Sequence, residues 1–285
     1  MEIIRTVGDL RKFVGEARAA GKSVGLVPTM GALHAGHMSL MHRARKENDV
    51  VVASVFVNPT QFNNAQDLKT YPRTEAADVA QLESAGVDAA FIPSVDEVYP
   101  EPDTRVFDLG GVAEVMEGKM RPGHFNGVAQ IVSKLFGWVM PDRAYFGEKD
   151  FQQIAVIRKM AKLEGFDIDI VDCPICRHDD GLAMSSRNVR LSAEQRAVAP
   201  KIHEVLVKSL DWAADSTPGE VKKKVTEAIN GNEWLDTEYY EIVDSLTMQP
   251  IENWSDLGDG AVPVGCVTVY CGDVRLIDNI KYING

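Results

Sequence analysis

The sequence predicts an α/β protein: a doubly wound parallel sheet followed by a smaller C-terminal α+β domain. Short, near-continuous apolar runs alternate with amphipathic stretches over the first part of the chain, and the pattern changes after about residue 175. Strands that are apolar on both faces belong inside a parallel sheet covered by helices, and right-handed crossovers wind such a sheet in both directions. Its ligands bind outside the carboxyl ends of the strands. With 285 residues and 45% hydrophobic content, the chain can bury one large core or two ordinary ones.

The elements follow in order. VGLVP (24–28) leads into the amphipathic HMSLMHRARKEN. VVVASVFVN (50–58) is followed by a loop, by EAADVAQLESAG and by VDAAFIP (87–93). RAYFGE (143–148) precedes FQQIAVIRKMAKLEG, and FDIDIVDCPI (166–175) closes the series. SAEQRAVAPKIHEVLVKSLDWAAD reads as helix, kinked or interrupted at Pro200. PGEVKKKVTEAING is a shorter helix with Pro218 near its start and Gly231 after its end. TEYYEIVD, PVGCVTVYCGD and VRLIDNI read as a small mixed or antiparallel sheet, with CGDV (271–274) as a hairpin turn. The expected domains are therefore residues 1–175 and 176–285, without internal repeats.

The net charge of −12 speaks against an extended nucleic-acid or anionic-membrane surface, which needs a basic footprint. No apolar run reaches the roughly 18 residues of a membrane helix, and MEIIRTVGDLRKF lacks a signal-peptide layout. Four cysteines in so long a chain make no disulfide framework, so a cytoplasmic location is expected. C-P-I-C (173–176) has redox spacing but ends a strand, where no helix dipole lowers a thiol pKa, and Cys266 and Cys271 form no second pair for zinc. All four are expected to be free structural thiols.

The chemistry concentrates in PTMGALHAGHMSL (28–40). A strand, a glycine-containing loop and a helix start make a phosphate site, because the first helical amides point outward and the dipole is positive there. His34 and His37, three apart, share one helix face, with Ala35 and Gly36 small enough for close approach. Each imidazole can donate a hydrogen bond to a phosphate, and a metal site would need a third ligand. MSSRN (184–188) adds hydroxyls, amides and an arginine in a loop before the helix near Ser192. Alone it reads better as a plain helix-capping loop.

Taken together, H-x-G-H and M-S-S-R resemble the class I aminoacyl-tRNA synthetase and nucleotidyltransferase superfamily. PTMGALHAGHMSL, VFVNPTQF, YPRT, RPGHFNGV, FGEKDFQQ, DGLAMSSRN and GDVRLIDN, in that order, resemble the pantoate–β-alanine ligase (pantothenate synthetase) family. The resemblance spans almost the whole chain. It implies a Rossmann-like nucleotide-binding domain and condensation of pantoate with β-alanine through a pantoyl adenylate, releasing AMP and pyrophosphate. It also implies a homodimer that takes ATP and Mg²⁺.

By the same resemblance, ATP is held by Met30, Gly31, Ala32, Leu33, His34, Ala35, Gly36 and His37. Gly147, Glu148, Lys149, Asp150, Cys176, Met184, Ser185, Ser186 and Arg187 complete its site. His37, His34, Lys149 and Arg187 are the expected catalytic groups, with Asp150 on the ribose and the main chain at Cys176 against adenine. Pantoate and β-alanine fall to Pro28, Met30, Asn58, Gln61, Gln153, Arg121 and His124, and magnesium to Asp78. Ala65–Tyr71 or the segment near Glu117–Gly123 is the candidate lid. A nucleotidyltransferase with another small acceptor and a non-catalytic ATP sensor are the alternatives. The acceptor pocket of Gln, Pro and Met favours a small carboxylic acid over a phosphorylated acceptor.

Overall fold

The computed structural model of the chain describes residues 1–282. It divides into two compact units. The first comprises Met1–Leu109, Arg121–Glu148 and Val156–Pro174; the second comprises Gly110–Met120, Lys149–Ala155 and the chain from Ile175 onward.

The first unit is built on β1 (Glu2–Ile4), β2 (Val24–Thr29), β3 (Val50–Val55), β4 (Ala89–Phe91), β5 (Arg143–Gly147) and β6 (Asp169–Cys173). All pair in parallel, in the order β1-β4-β3-β2-β5-β6. The order reverses between β2 and β5, so the expected double winding is present. Val27, Val51, Ala53 and Ala90 on one face pack against Leu40, Met41 and Ala44 of the helix Ala35–Glu47 and Leu82 of the helix Glu75–Ser84. The helices Val7–Ala19 and His124–Val139 cover the other face, where Phe91 meets Trp138 edge-on at 5.9 Å. Cover on both faces is why the central strands carry no alternation; each buried aliphatic side chain contributes about 1.5–3 kcal/mol.

Several elements lie outside the expectations, among them β1, the helix after it and the helix His124–Val139. β1 has three residues, and the helix after it starts at Thr6, whose Oγ1 accepts the Asp9 amide at 3.1 Å. β3 is shorter than its apolar run, because Asn58 caps the 3-10 turn Pro59–Gln61 and Pro59 has no ladder donor.

The second unit carries the antiparallel sheet β7 (Leu235–Asp244), β8 (Pro263–Cys271) and β9 (Val274–Lys281). CGDV makes the β8–β9 turn, with Cys271 paired to Val274 and Gly272 at φ +57°. That left-handed angle suits the twist of a two-residue hairpin. The expected long helix is divided at Pro200 into Ala193–Val198 and Lys201–Ala213, where the pyrrolidine ring cannot continue the amide ladder. Ile202, Leu206, Val221, Val225 and Ile229 from the helices pack with Leu235, Val267 and Val269 of the sheet.

Glu117 is only 8% exposed. Its carboxylate accepts from Arg275 Nη1 and Nη2 at 2.7 and 2.6 Å, from the Tyr239 hydroxyl at 2.7 Å and from Thr268 Oγ1 at 3.1 Å. Burial and the adjacent carboxylate push the Tyr239 hydroxyl far above its ordinary range, so it stays a donor. The Glu117 end of the candidate lid is thus pinned to its own unit; Ala65–Thr70 is a short helix capped by Asn64.

All four cysteines are free. Burial raises the thiols of Cys173, Cys271 and Cys266, the last to about 12. Cys176 is half-buried. At pH 8, a thiol-reactive chromophore should therefore label one cysteine promptly and the others only on unfolding. Cys176→Ser should abolish the prompt phase; a prompt phase that survives it contradicts the burial argument.

Candidate functional site

In the first unit, the chain leaving β2 turns sharply through Gly31 (φ +79°) and Ala32 (φ +50°). A Cβ at Gly31 would lie 3.0 Å from Asp78 Oδ2 and 3.1 Å from Val55 Cγ1, so glycine is needed for space as well as for angle. Asp78, 1% exposed, holds this turn. Its Oδ2 accepts the Ala32 amide at 3.0 Å, and its Oδ1 accepts the Leu33 amide at 2.8 Å and Thr74 Oγ1 at 3.2 Å. Ala32 carries a left-handed strain of about 1–2 kcal/mol, which these bonds offset.

Those bonds give Asp78 a different job from the magnesium ligand the resemblance implies. Its buried carboxylate already serves three donors and anchors a loop, so it does not fit a cation site. Among the described residues, no group of three or more His, Cys, Asp or Glu could hold a metal ion.

The turn delivers His34 to the N-cap of the helix Ala35–Glu47. His34 lies one residue before the helix, in extended conformation, where the spacing argument had both imidazoles on helical residues. His34 Nδ1 accepts the Gly36 amide at 3.2 Å, and His37 Nδ1 accepts the His34 amide at 3.3 Å. This is a capping box made of two histidines, with ring centroids 4.1 Å apart and planes tilted by 47°. A nitrogen that accepts an amide proton carries none itself, so each neutral ring has its proton on Nε2. The expectation that helical amides face the ligand needs correction at Gly36 and His37. Gly36 donates to the His34 ring, and His37 donates to the His34 carbonyl at 2.8 Å. The donors this helix start offers are instead two imidazole Nε2–H groups.

A second network lies in the same unit. Gln61, 8% exposed, donates from Nε2 to Met30 Sδ at 3.3 Å and accepts from Asn58 Nδ2 at 3.1 Å. His124 Nδ1 lies 2.8 Å from the Gln61 carbonyl, which only accepts, so that nitrogen holds the proton. His124 Nε2 then accepts from Arg121 Nη1 at 3.2 Å. Met30, Asn58, Gln61, Arg121 and His124 are thereby joined. Pro28 lies within β2, and Gly147 and Glu148 stand at the carboxyl end of β5, which pairs with β2. Ligands of doubly wound sheets bind at such a switch point.

In the second unit, Lys149 and Ser185 line one narrow cleft with Ala183, Asn188, Leu276 and Asp278. Lys149 Nζ is 3.5 Å from Asp150, and Asn279 Nδ2 donates to the Lys149 carbonyl at 3.2 Å. Ser185 caps the 3-10 helix Ser186–Arg190, its Oγ accepting the Arg187 amide at 3.3 Å. The Cys176 carbonyl accepts the Met184 amide at 2.9 Å, which ties the expected adenine segment to the serine loop. Under the cleft, Arg177 binds Asp278 through two bonds of 2.6 and 2.8 Å. Gln153 lies in the first turn of the helix Phe151–Glu164. The anchors Asp278 and Asn279 were given no role by the sequence; both lie within GDVRLIDN, the signal that could have found them.

The comparisons with known proteins cover the chain from end to end. A family described as pantoate-beta-alanine ligase matches residues 2–281. Pantothenate synthetase of Porphyromonas gingivalis is 64% identical over 282 residues, 99% of each chain. The crystal structure of pantothenate synthetase from Thermus thermophilus superimposes with a TM-score of 0.90 at 43% identity, covering 100% of both chains. The Francisella tularensis pantoate-beta-alanine ligase, solved as a complex with beta-gamma ATP and beta-alanine, gives a TM-score of 0.82 at 35% identity, covering 100% of this chain and 99% of that one.

Proposed function

We propose that this chain, which belongs to the pantoate-beta-alanine ligase family, joins pantoate to β-alanine while cleaving ATP to AMP and pyrophosphate. Hydroxide is a poor leaving group, so a carboxylate must be activated before an amine can displace it. A pantoate carboxylate oxygen attacks the α-phosphorus of ATP, and the bond to pyrophosphate breaks. The amine of β-alanine then attacks the carbonyl carbon of the adenylate. The carbon–oxygen bond to AMP breaks, its electron pair leaves with the phosphate, and the nitrogen loses a proton.

The histidine capping box, in which each Nδ1 accepts a backbone amide, is the observation that carries this reading, because it makes donors of both Nε2–H groups. They suit charge growing on the transferring phosphate, with His37 stabilising the five-coordinate phosphorus. Lys149 and Arg187 neutralise the β- and γ-phosphates, and Ser185 and Ser186 add hydroxyl and amide donors. Asp150 binds the ribose. Gln61 and Gln153 hold the pantoate carboxylate and hydroxyls, and Pro28 and Met30 wall its dimethyl carbon. Arg121 and His124 stand by the acid or the incoming amine, whereas Asn58, whose amide is spent on protein partners, supports Gln61 from behind. All of this is positioning and electrostatics, without a covalent enzyme intermediate. Magnesium belongs to the reading as a companion of the triphosphate, since it keeps much of its water and few protein ligands. A homodimer in the cytoplasm belongs to it through family membership. Among the described residues, no helix is long and apolar enough to cross a membrane.

Exchange of labelled pyrophosphate into ATP tests the proposal. It should require pantoate and proceed without β-alanine. A sensor gives no exchange, a transferase needs a different acceptor, and either result overturns the reading.

A further inference from the structure

We infer that Tyr99 is a positioning residue for acid binding: its hydroxyl holds Asn58, and Asn58 turns the Gln61 amide so that its NH₂ group faces Met30. The inference rests on the reading of Gln61 as a pantoate contact.

A glutamine amide has two nearly isosteric orientations that present opposite groups to a ligand. Only the one with NH₂ toward the acid suits a carboxylate. The choice here is made inside the protein. Gln61 Oε1 faces Asn58 Nδ2 at 3.1 Å, which leaves Nε2 on the Met30 side. The Asn58 amide is fixed in turn. Its Nδ2 also donates to the Gly127 carbonyl at 3.0 Å, a group that only accepts. Its Oδ1 receives the Tyr99 hydroxyl at 2.8 Å, Thr60 Oγ1 at 3.1 Å and the Thr60 amide at 3.4 Å. The Tyr99 bond is the shortest of the three. Asn58 is 1% exposed and Gln61 8%, so water does not stand in for a lost partner.

Tyr99 is itself held from two sides. Its ring packs on Phe56 at 6.3 Å between centroids, and the Lys134 ammonium sits over it at 5.2 Å. Burial raises its hydroxyl pKa, so it remains a donor across the working pH range. A chain of bonds Tyr99 → Asn58 → Gln61 also polarises each amide for the next, making Gln61 Nε2 a stronger donor. The thioether of Met30 is a weak acceptor, which a carboxylate or hydroxyl oxygen readily replaces.

The test compares Tyr99→Phe, Gln61→Ala and the double variant in the full-length enzyme, by steady-state kinetics and thermal unfolding. Tyr99→Phe should raise the KM for pantoate about 3–10-fold, the worth of one net hydrogen bond. The KM values for ATP and β-alanine should stay near the parent's. In the Gln61→Ala background, Tyr99→Phe should add nothing to the pantoate KM. If Gln61→Ala leaves the pantoate KM unchanged, the role of Gln61 itself fails, and the inference with it. If Gln61→Ala raises it but Tyr99→Phe does not, Gln61 keeps its role and Tyr99 loses its own. Equal effects of Tyr99→Phe in both backgrounds, or a joint rise of all three KM values with a lower Tm, would reduce Tyr99 to a structural residue.

Discussion

A His37→Gln enzyme should melt where the parent does and lose about 10²–10³-fold in pyrophosphate–ATP exchange. Glutamine is an ordinary third residue of a capping box, and its carbonyl can accept the His34 amide as the imidazole Nδ1 now does. The helix start is therefore kept, while the rigid imidazole Nε2–H gives way to an amide NH₂ on a flexible arm that cannot take up a proton. His37→Ala removes cap and donor together and should add about 1 kcal/mol of destabilisation to the same catalytic defect. Exchange assays and thermal unfolding on the two variants separate the roles. Exchange within a few-fold of the parent in a folded His37→Gln protein would take His37 out of the chemistry.

Asp78→Ala should destabilise the protein by about 2–5 kcal/mol, because it leaves the half-buried Ala32 amide and the buried Leu33 amide without acceptors, at up to about 1–3 kcal/mol each. The turn that aims His34 would relax as well, so exchange should fall along with stability. Extra magnesium should restore neither, since the carboxylate anchors backbone. A magnesium titration of exchange activity checks this, and recovery at high magnesium would make Asp78 a metal ligand after all.

The parallel sheet was legible because β2 and β3 are apolar on both faces, a pattern that survives without context. β1 was not, since three residues with Glu2 and Ile3 exposed carry no period. The helix Val7–Ala19 had a readable start in Thr6 and Asp9 and a buried stripe at Leu10, Val14 and Ala17. At the site, the spacing of His34 and His37 was visible, whereas their mutual capping was not, because histidine is not among the preferred N-cap residues. Asp78 shows most plainly why the remainder was hidden. On its own helix it looks solvated, and the amides that define its role lie 46 and 45 residues away. Tyr99 reaches Asn58 across 41 residues and belongs to no motif.

Glu117 is synthesised 158 residues ahead of Arg275. At roughly 5–20 residues per second, its carboxylate waits about 8–30 s for the guanidinium that lets it leave water. An ionised group without its counter-charge resists burial. The nascent chain can thus complete β1–β6 while the rest is still being translated, but Gly110–Met120 cannot settle until β9 emerges. Translation order makes the C-terminal sheet the last part of this enzyme to close.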